Sequence, residues 1–384
     1  MKTRICLIQS TMTLGGGTKS FVELCLMLNT CFEVVSCIPK SKNNENLKKL
    51  LQDNQIKVYE IKSNIPILIN YSGSSSFFSP GLIKKHIQSI NKKEFVDEIM
   101  SLNPHMVFFN SVITSVSAKY FPTNIKKICI VRETLSRNLI SKYYKQNFEQ
   151  NFDLVLFISE NERTKMNLLN VKSEVLTDSL LVEIKDENKN TKDGKTKILF
   201  LGGMDYIKGL DTLLEAAAEL DCKHEFIIAG YIKEIKYKDI ILKMKNPRIF
   251  FYYLKLKRLM NNNKNIKYIG FQEDVIKLIK ESDAVVFPSK KVHQPKPAIE
   301  AGYFSKPVII SDFFETSDNF INNYNALVFE PNNFKDLIKK IKLLETKGKQ
   351  IGENNFKMST KYHDYETNKK KLIDLIKEVT ILND

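Results

Sequence analysis

The sequence predicts an α/β protein of two doubly wound, Rossmann-like domains, and three observations carry that expectation. Short apolar runs recur along the chain with helix-length segments between them, the order that builds parallel strands joined by crossover helices. The polar stretch KDENKNTKDGKTK, Lys185 to Lys197, interrupts this order at mid-chain without apolar periodicity, as a linker does. The 384 residues also exceed the ~250–300 at which one core usually gives way to two. The expected division is residues 1–185, a linker at 186–196, residues 197–361, and a closing helical stretch at 362–384 long enough to pack back on the first domain.

In the first half the expected strands are Ile5 to Ile8, Glu33 to Ile38, Ile56 to Ile61, Met106 to Phe109, Ile128 to Val131 and Leu154 to Ile158. The pattern restarts after the linker with Ile198 to Leu201, Phe226 to Ala229, Ile266 to Ile269, Ala284 to Phe287 and Val308 to Ile310. The helix after Gly209 is well marked. Leu210, Leu213, Leu214, Ala217 and Ala218 follow the i, i+3, i+4, i+7, i+8 rule of one buried face.

Hydrophobic residues at 43% and charged residues at 27% place the chain among ordinary folded soluble proteins. No apolar run approaches the ~20 residues that cross a bilayer, and MKTRICLIQS reaches Gln9 and Ser10 too soon for a signal-peptide core. A cytoplasmic protein is expected, with contact at the inner membrane face open. The net charge of +15 favours anionic partners, whether nucleotides, nucleic acid or an acidic membrane surface, and a biased genome accounts for the lysine excess equally well. No nucleic-acid reading motif accompanies the charge. The six cysteines form no C-x-x-C pair and no metal-site spacing with histidine, and no metal is expected. Cys6, Cys37 and Cys129 sit in strand-like runs as small buried hydrophobes.

Ligands of open α/β sheets bind at the carboxyl ends of the strands. In the second half, ILFLGG runs into MDYIKG and then the Leu210 helix, which sets Lys208 beside a helix N-terminus. A cation next to unpaired amides suits a diphosphate. A second loop, SKKVHQPKPAIEAG, leads into a short helix carrying Glu300. In the first half, LGGGTKS imitates a phosphate loop and fails both tests. Thr18 stands where a Walker loop needs glycine before Lys19, and Ser20 replaces the last glycine of G-x-G-x-x-G.

The ordered series LFLGG, KGLDTLLEA, IIAG, IKYIGF, SDAVVFPS, EAGYFSKPVI and NALVFEP, residues 197 to 331, resembles the C-terminal half of the GT-B glycosyltransferases. The family is the retaining glycosyltransferase family 4, also described as glycosyl transferases group 1, and the resemblance is to its bacterial surface-polysaccharide members. It implies two Rossmann-like domains facing a cleft and transfer of a sugar from a nucleoside-diphosphate sugar, UDP favoured, to a glycan or lipid-linked glycan hydroxyl with retention. No cofactor is obligatory in that chemistry. Carried over, Lys208 contacts the donor diphosphate, Glu300 the ribose hydroxyls, Gly270 and Phe271 flank the nucleobase, and backbone at Ala298 and Ile299 favours phosphate oxygens. Gly15, Gly16 and Gly17 allow close backbone approach to the donor. Arg132 and Glu133 stand at the cleft edge, either as phosphate or acceptor contacts or as a pair that fixes their loop.

Two departures stand out. Gly203 replaces the family's arginine after the Leu201 strand, and Val292 replaces the first of its two glutamates. The expectation is that Lys296 supplies the missing charge while His293 or Gln294 reads sugar hydroxyls, the alternative being a loop fixed by Pro295 and Pro297 with its polar side chains in solvent. The same departures keep a second reading open, a GT-B-like protein that binds a nucleotide sugar without turnover. Two further segments point to the acceptor side. NPRIFFYYLKLKRLM, Asn246 to Met260, suits either a helix on an anionic membrane, with Lys255, Lys257 and Arg258 meeting phosphates, or an extra helix packed on its own domain. SGSSSFFSPGLIKKHI, Ser72 to Ile87, suits an acceptor loop or an ordinary surface loop.

Overall fold

The computed structural model describes residues 2–10, 16–68, 92–135, 138–180, 194–232, 235, 240, 244, 247–260, 265–272, 274–292, 295–314 and 319–381. Gly15, His293, Gln294, the Ser72 to Ile87 segment and most of the expected linker lie outside these residues. Two compact units form, Met1–Leu181 with His363–Asp384, and Val182–Tyr362.

The first unit opens with β1 (Arg4–Ile8), α1 (Gly16–Asn29), β2 (Glu33–Pro39), α2 (Glu45–Asp53) and β3 (Lys57–Ile61). It continues with α3 (Lys92–Met100), β4 (Met106–Phe109), β5 (Lys126–Val131), α4 (Leu139–Asn151), β6 (Leu154–Phe157), α5 (Glu160–Met166) and β7 (Lys172–Val175). Its sheet is parallel, in the order β3-β2-β1-β4-β5-β6-β7. Side chains alternate through it: Ile5 and Leu7 face a core shared with α1 and α2, while Cys6 and Ile8 face one shared with α3 and α4. Both faces are therefore covered, which is why these strands read as continuous apolar runs. β7 was absent from the sequence reading because KSEV is an edge strand with one apolar residue.

The second unit holds β8 (Thr196–Leu201), α6 (Leu210–Glu219), β9 (His224–Ala229), α7 (Pro247–Met260), β10 (Ile266–Gly270) and α8 (Val275–Glu281). After these come β11 (Ala284–Phe287), α9 (Lys296–Tyr303), β12 (Val308–Ser311), β13 (Leu327–Phe329), α10 (Phe334–Lys342) and α11 (Leu344–His363). Thr196, counted in the expected linker, already belongs to β8. The parallel order is β10-β9-β8-β11-β12-β13. The last helix, α12 (Tyr365–Ile381), returns to the first unit, where Leu372, Ile376 and Val379 join the core under α1. His363 Nδ1, 2.6 Å from the Asp178 carbonyl oxygen, ties down its entry.

Helix α6 buries Leu210, Leu213, Leu214 and Ala217 as the periodicity predicts, but Ala218 is exposed and Ala216 buried. The buried arc is rotated because α6 lies between α7 and α10. The aromatic segment of α7 packs on its own domain, burying Tyr252 and Leu256 in the core with Phe250, Tyr253 and Leu254 against it. Two of the cations expected to meet lipid are occupied there. Lys255 pairs with Glu215 at 2.7 Å and Asp211 at 3.2 Å, and Lys257 donates to the Ile235 carbonyl at 2.8 Å. Among the described residues no helix is long and apolar enough to cross a membrane.

Helices α9 and α11 meet so closely that a Cβ on Gly302 would lie 1.9 Å from Ser359 Oγ and 3.0 Å from the Asn355 carbonyl oxygen. Gly302→Ala should therefore destabilise the protein by about 1–3 kcal/mol through overpacking. A urea midpoint that falls in Gly302→Ala and partly recovers in Gly302→Ala/Ser359→Gly is the expected result.

Candidate functional site

From β8 the second sheet grows outward through β9 to β10, and the chain then returns to the other side of β8 as β11. Such a reversal leaves a crevice beyond the carboxyl ends of the two adjacent strands. Two loops flank it here, Gly202 to Gly209 leading into α6 and, from the end of β11, Pro288 to Val292.

These loops are joined backbone to backbone. Gly209 has φ +74° and caps α6, and a Cβ there would lie 1.7 Å from the Pro288 carbonyl oxygen, so only glycine fits. The Ile207 carbonyl accepts from the Lys290 amide at 2.9 Å and from Ser289 Oγ at 3.1 Å. Ser311, at the end of β12, donates to the Ser289 carbonyl at 2.8 Å and braces the second loop from behind.

Lys208 follows Ile207 in this braced turn. It is half-buried, with Nζ 5.4 Å from the centroid of the Phe287 ring. Burial pushes its pKa down to about 8, against the opposing pull of Asp205. The result is a cation at a strand end that is easily neutralised and gains from an added anion.

On α9, Lys296 and Glu300 are one helical turn apart and both buried, at 6% and 7% exposure. Ala298 and Ile299 do not offer what the sequence reading assigned them. Their side chains are core, and their amides donate to the Pro295 carbonyl at 2.8 and 3.2 Å. Gly270 has φ +71° with open space where a Cβ would point, and Phe271 after it is 65% exposed. Tyr231, which the sequence reading passed over, leaves the adjacent β9 with 73% exposure. Its signal was its position, just past a strand end that closes on glycine. A cavity of about 330 Å³ lies beside it, lined by Gly202 to Tyr206, Tyr231 and, from α7, Ile249 and Tyr253.

Gly203 has a packing reason. Its φ is +59°, a Cβ would lie 2.8 Å from the Tyr231 carbonyl oxygen, and one on Gly230 would lie 2.5 Å from the Gly203 nitrogen. The two strand ends touch through backbone, which leaves no room for the arginine of the family pattern.

In the first unit, Gly16 and Gly17 open α1 and are exposed, and Gly17 has open space where a Cβ would point. Arg132 and Glu133 are engaged, though not side chain to side chain. The Arg132 guanidinium donates to Asn110 Oδ1 at 2.8 Å and pairs with Asp178, while Asn110 in turn donates to Gln9 Oε1 at 2.9 Å. The Glu133 carboxylate accepts from Ser111 Oγ, from the Val112 amide at 3.2 Å and from the Arg132 amide at 3.1 Å. Burial raises its pKa against these bonds, which lower it. The two residues thus tie together the ends of β1, β4 and β5.

Residues 182–361 match the family described as Glycosyl transferases group 1. The chain is 26% identical over 370 residues to the capsular polysaccharide biosynthesis glycosyltransferase CapH of Staphylococcus aureus, covering 91% of this chain and 92% of that protein. It is 25% identical over 230 residues, 56% of each chain, to N,N'-diacetylbacillosaminyl-diphospho-undecaprenol alpha-1,3-N-acetylgalactosaminyltransferase of Campylobacter jejuni. Among solved structures it is similar to Anabaena HepE in complex with UDP and glucose, with a TM-score of 0.72 and 13% identity over 98% of this chain and 99% of that one. It is also similar to S. aureus TarM bound to fondaparinux, alpha-GlcNAc-glycerol and UDP, with a TM-score of 0.69 and 16% identity over 98% and 99%.

Gly203→Arg, which restores the family's arginine, should cost about 1–3 kcal/mol from the left-handed backbone alone. A melting temperature below wild type is the expected outcome, and an unchanged one would contradict the backbone contact described above.

Proposed function

Starting from a chain whose residues 182–361 belong to the glycosyl transferases group 1 family and which is a glycosyltransferase of GT-B fold, we propose that its donor is a UDP-sugar held at the β8–β11 crevice. The observation that carries this reading is Lys208, a half-buried cation with its pKa lowered to about 8, set in a turn braced by both loops. As the diphosphate leaves, negative charge grows on its oxygens, and a preorganised cation in a partly dry site stabilises that charge. Lys296, in the first turn of α9, adds positive charge beside the helix N-terminus. Glu300, one turn on, accepts from the ribose hydroxyls, and the exposed rings of Phe271 and Tyr231 offer faces for the base. Uridine is favoured because HepE and TarM are both described with UDP. In this reading the lysines supply the charge a metal would otherwise bring, so turnover survives chelation of divalent cations.

The acceptor we assign is a hydroxyl of a glycan or lipid-linked glycan in surface-polysaccharide assembly, with retention at the anomeric carbon. The acceptor class is supported by the names of the relatives, a capsular polysaccharide biosynthesis glycosyltransferase in S. aureus and, in C. jejuni, a transferase named for a diphospho-undecaprenol-linked sugar; retention follows from the family resemblance.

Thermal stabilisation by UDP tests the donor site, with Lys208→Ala and Glu300→Ala as controls. At ~100 times its dissociation constant UDP adds about 2.7 kcal/mol, and both variants should lose the shift. The pH dependence follows from the lowered pKa. Above about 8 the free protein holds Lys208 neutral, so binding a diphosphate requires taking up a proton and weakens by up to tenfold per pH unit. Below 8 the affinity levels off. In Lys208→Arg the alkaline loss should vanish, and a wild-type affinity flat from pH 7 to 10 would show that Lys208 keeps its proton over that range, against the lowered pKa. UDP binding without turnover on any acceptor would favour the non-catalytic reading instead.

A further inference from the structure

The reading above gives no task to the best-buried ion pair near the crevice. Asp211, in the first turn of α6, has a side chain only 3% exposed, and Lys290, in the loop after β11, one 10% exposed. Lys290 Nζ lies 2.6 Å from Asp211 Oδ2, and Lys255 of α7 reaches the same oxygen at 3.2 Å. The Lys290 ammonium also lies 5.0 Å from the Tyr206 ring centroid and 5.5 Å from that of Tyr252, two rings that meet edge to face at 5.2 Å. One side chain from the β11 loop is thus held by the 3-10 turn containing Lys208, by α6 and by α7.

The backbone of the same residue acts on Lys208 more directly. The Lys290 amide donates to the carbonyl of Ile207, the residue before Lys208, and Ser289 Oγ shares that acceptor. The peptide plane leading into Lys208 is therefore set by where the Ser289–Lys290 segment sits, and the Lys290 side chain decides where it sits. Lys255 also touches the Asp211 carboxylate but lies closer to Glu215, so Lys290 both balances Asp211 and, through its backbone, seats the loop against Ile207.

We propose that Lys290 is a positioning residue for donor binding: it anchors the β11 loop to α6 and so holds Lys208 in its diphosphate-contacting place. The inference rests on the reading that Lys208 meets the donor diphosphate. Lys290 itself touches no donor atom in this scheme.

Removing Lys290 leaves the buried Asp211 carboxylate with only Lys255, which it shares with Glu215, so Lys290→Met by itself will also lower stability. The informative variant is Lys290→Met/Asp211→Asn, which removes both charges and keeps the volumes. UDP affinity by calorimetry and the melting temperature are measured on wild type, Lys290→Met, the double variant, Lys290→Arg and Lys208→Ala. The expected pattern is a double variant with its melting temperature restored toward wild type and its UDP dissociation constant still raised tenfold or more, while Lys290→Arg, which keeps a cation against Asp211 and the two rings, stays within about threefold of wild type. A double variant that binds UDP as tightly as wild type would overturn the proposal, because charge balance would then be the whole role of Lys290. UDP binding that persists undiminished in Lys208→Ala would overturn the donor reading and this inference with it. Loss in Lys208→Ala together with full affinity in the double variant overturns this inference alone.

Discussion

The second unit depends on one backbone contact, the approach of Gly209 to the Pro288 carbonyl. A side chain at residue 209 would occupy the place of that oxygen. With glycine there, the loop after β8 and the loop after β11 lie against each other at the point where the sheet reverses direction. The Ile207 carbonyl can then accept two hydrogen bonds from the facing loop, and α6 can start immediately after the turn. Lys208 inherits its position from this arrangement. Its ammonium lies 5.4 Å from the Phe287 ring centroid, and partial loss of hydration is what lowers its pKa.

A second backbone contact, Gly203 against Gly230 and Tyr231, explains a residue that looks like a defect in the sequence. The family pattern places an arginine where two strand ends here touch through main chain. Bringing β8 and β9 together at this point directs Tyr231 outward beside the cavity and excludes the cation. Positive charge is abundant nearby, but much of it is already used. Lys290 and Lys255 converge on Asp211, and Lys255 also serves Glu215. The formal charge of +15 therefore overstates what this crevice can offer a ligand. The same holds in the first unit, where Arg132 is held by Asp178 and Asn110 and Glu133 by Ser111 and two amides. Buried polar groups satisfied in this way make the strand ends rigid.

Much of the architecture was legible along the chain because parallel strands covered on both faces appear as short unbroken apolar runs. Among the described residues eleven strands announced themselves so, and the two that did not are edge strands, β7 with one apolar residue in KSEV and β13 with only the three residues LVF, too short a run to stand out. Lys208 was found because loop, strand and helix order placed it past a strand end beside a helix start, and Glu300, inside α9, was singled out by the resemblance to the GT-B family. Ala298 and Ile299 were assigned to phosphate from the resemblance and their place at a helix start, and the carbonyl of Pro295 takes both amides. The segment Phe250 to Arg258 reads equally as a membrane-surface helix or a packed one. Its lysines settle into unit 2 because α6 presents Asp211 and Glu215 to Lys255 and the Ile235 carbonyl lies within reach of Lys257.

By itself the sequence determined most of the elements, the parallel class of both sheets and the strand ends at which chemistry is placed, because local periodicity and loop composition depend only on neighbours along the chain. It was silent on the Gly209–Pro288 and Gly203–Tyr231 contacts, on the partners of Lys290, Lys255, Arg132 and Glu133, and on the exposure of Tyr231. Each of these joins residues far apart in sequence, and hydrogen bonding, burial and titration depend on which groups meet in space. Only the tertiary structure decided which of the many lysines stands near the crevice with a weakened hold on its proton and which are already neutralised.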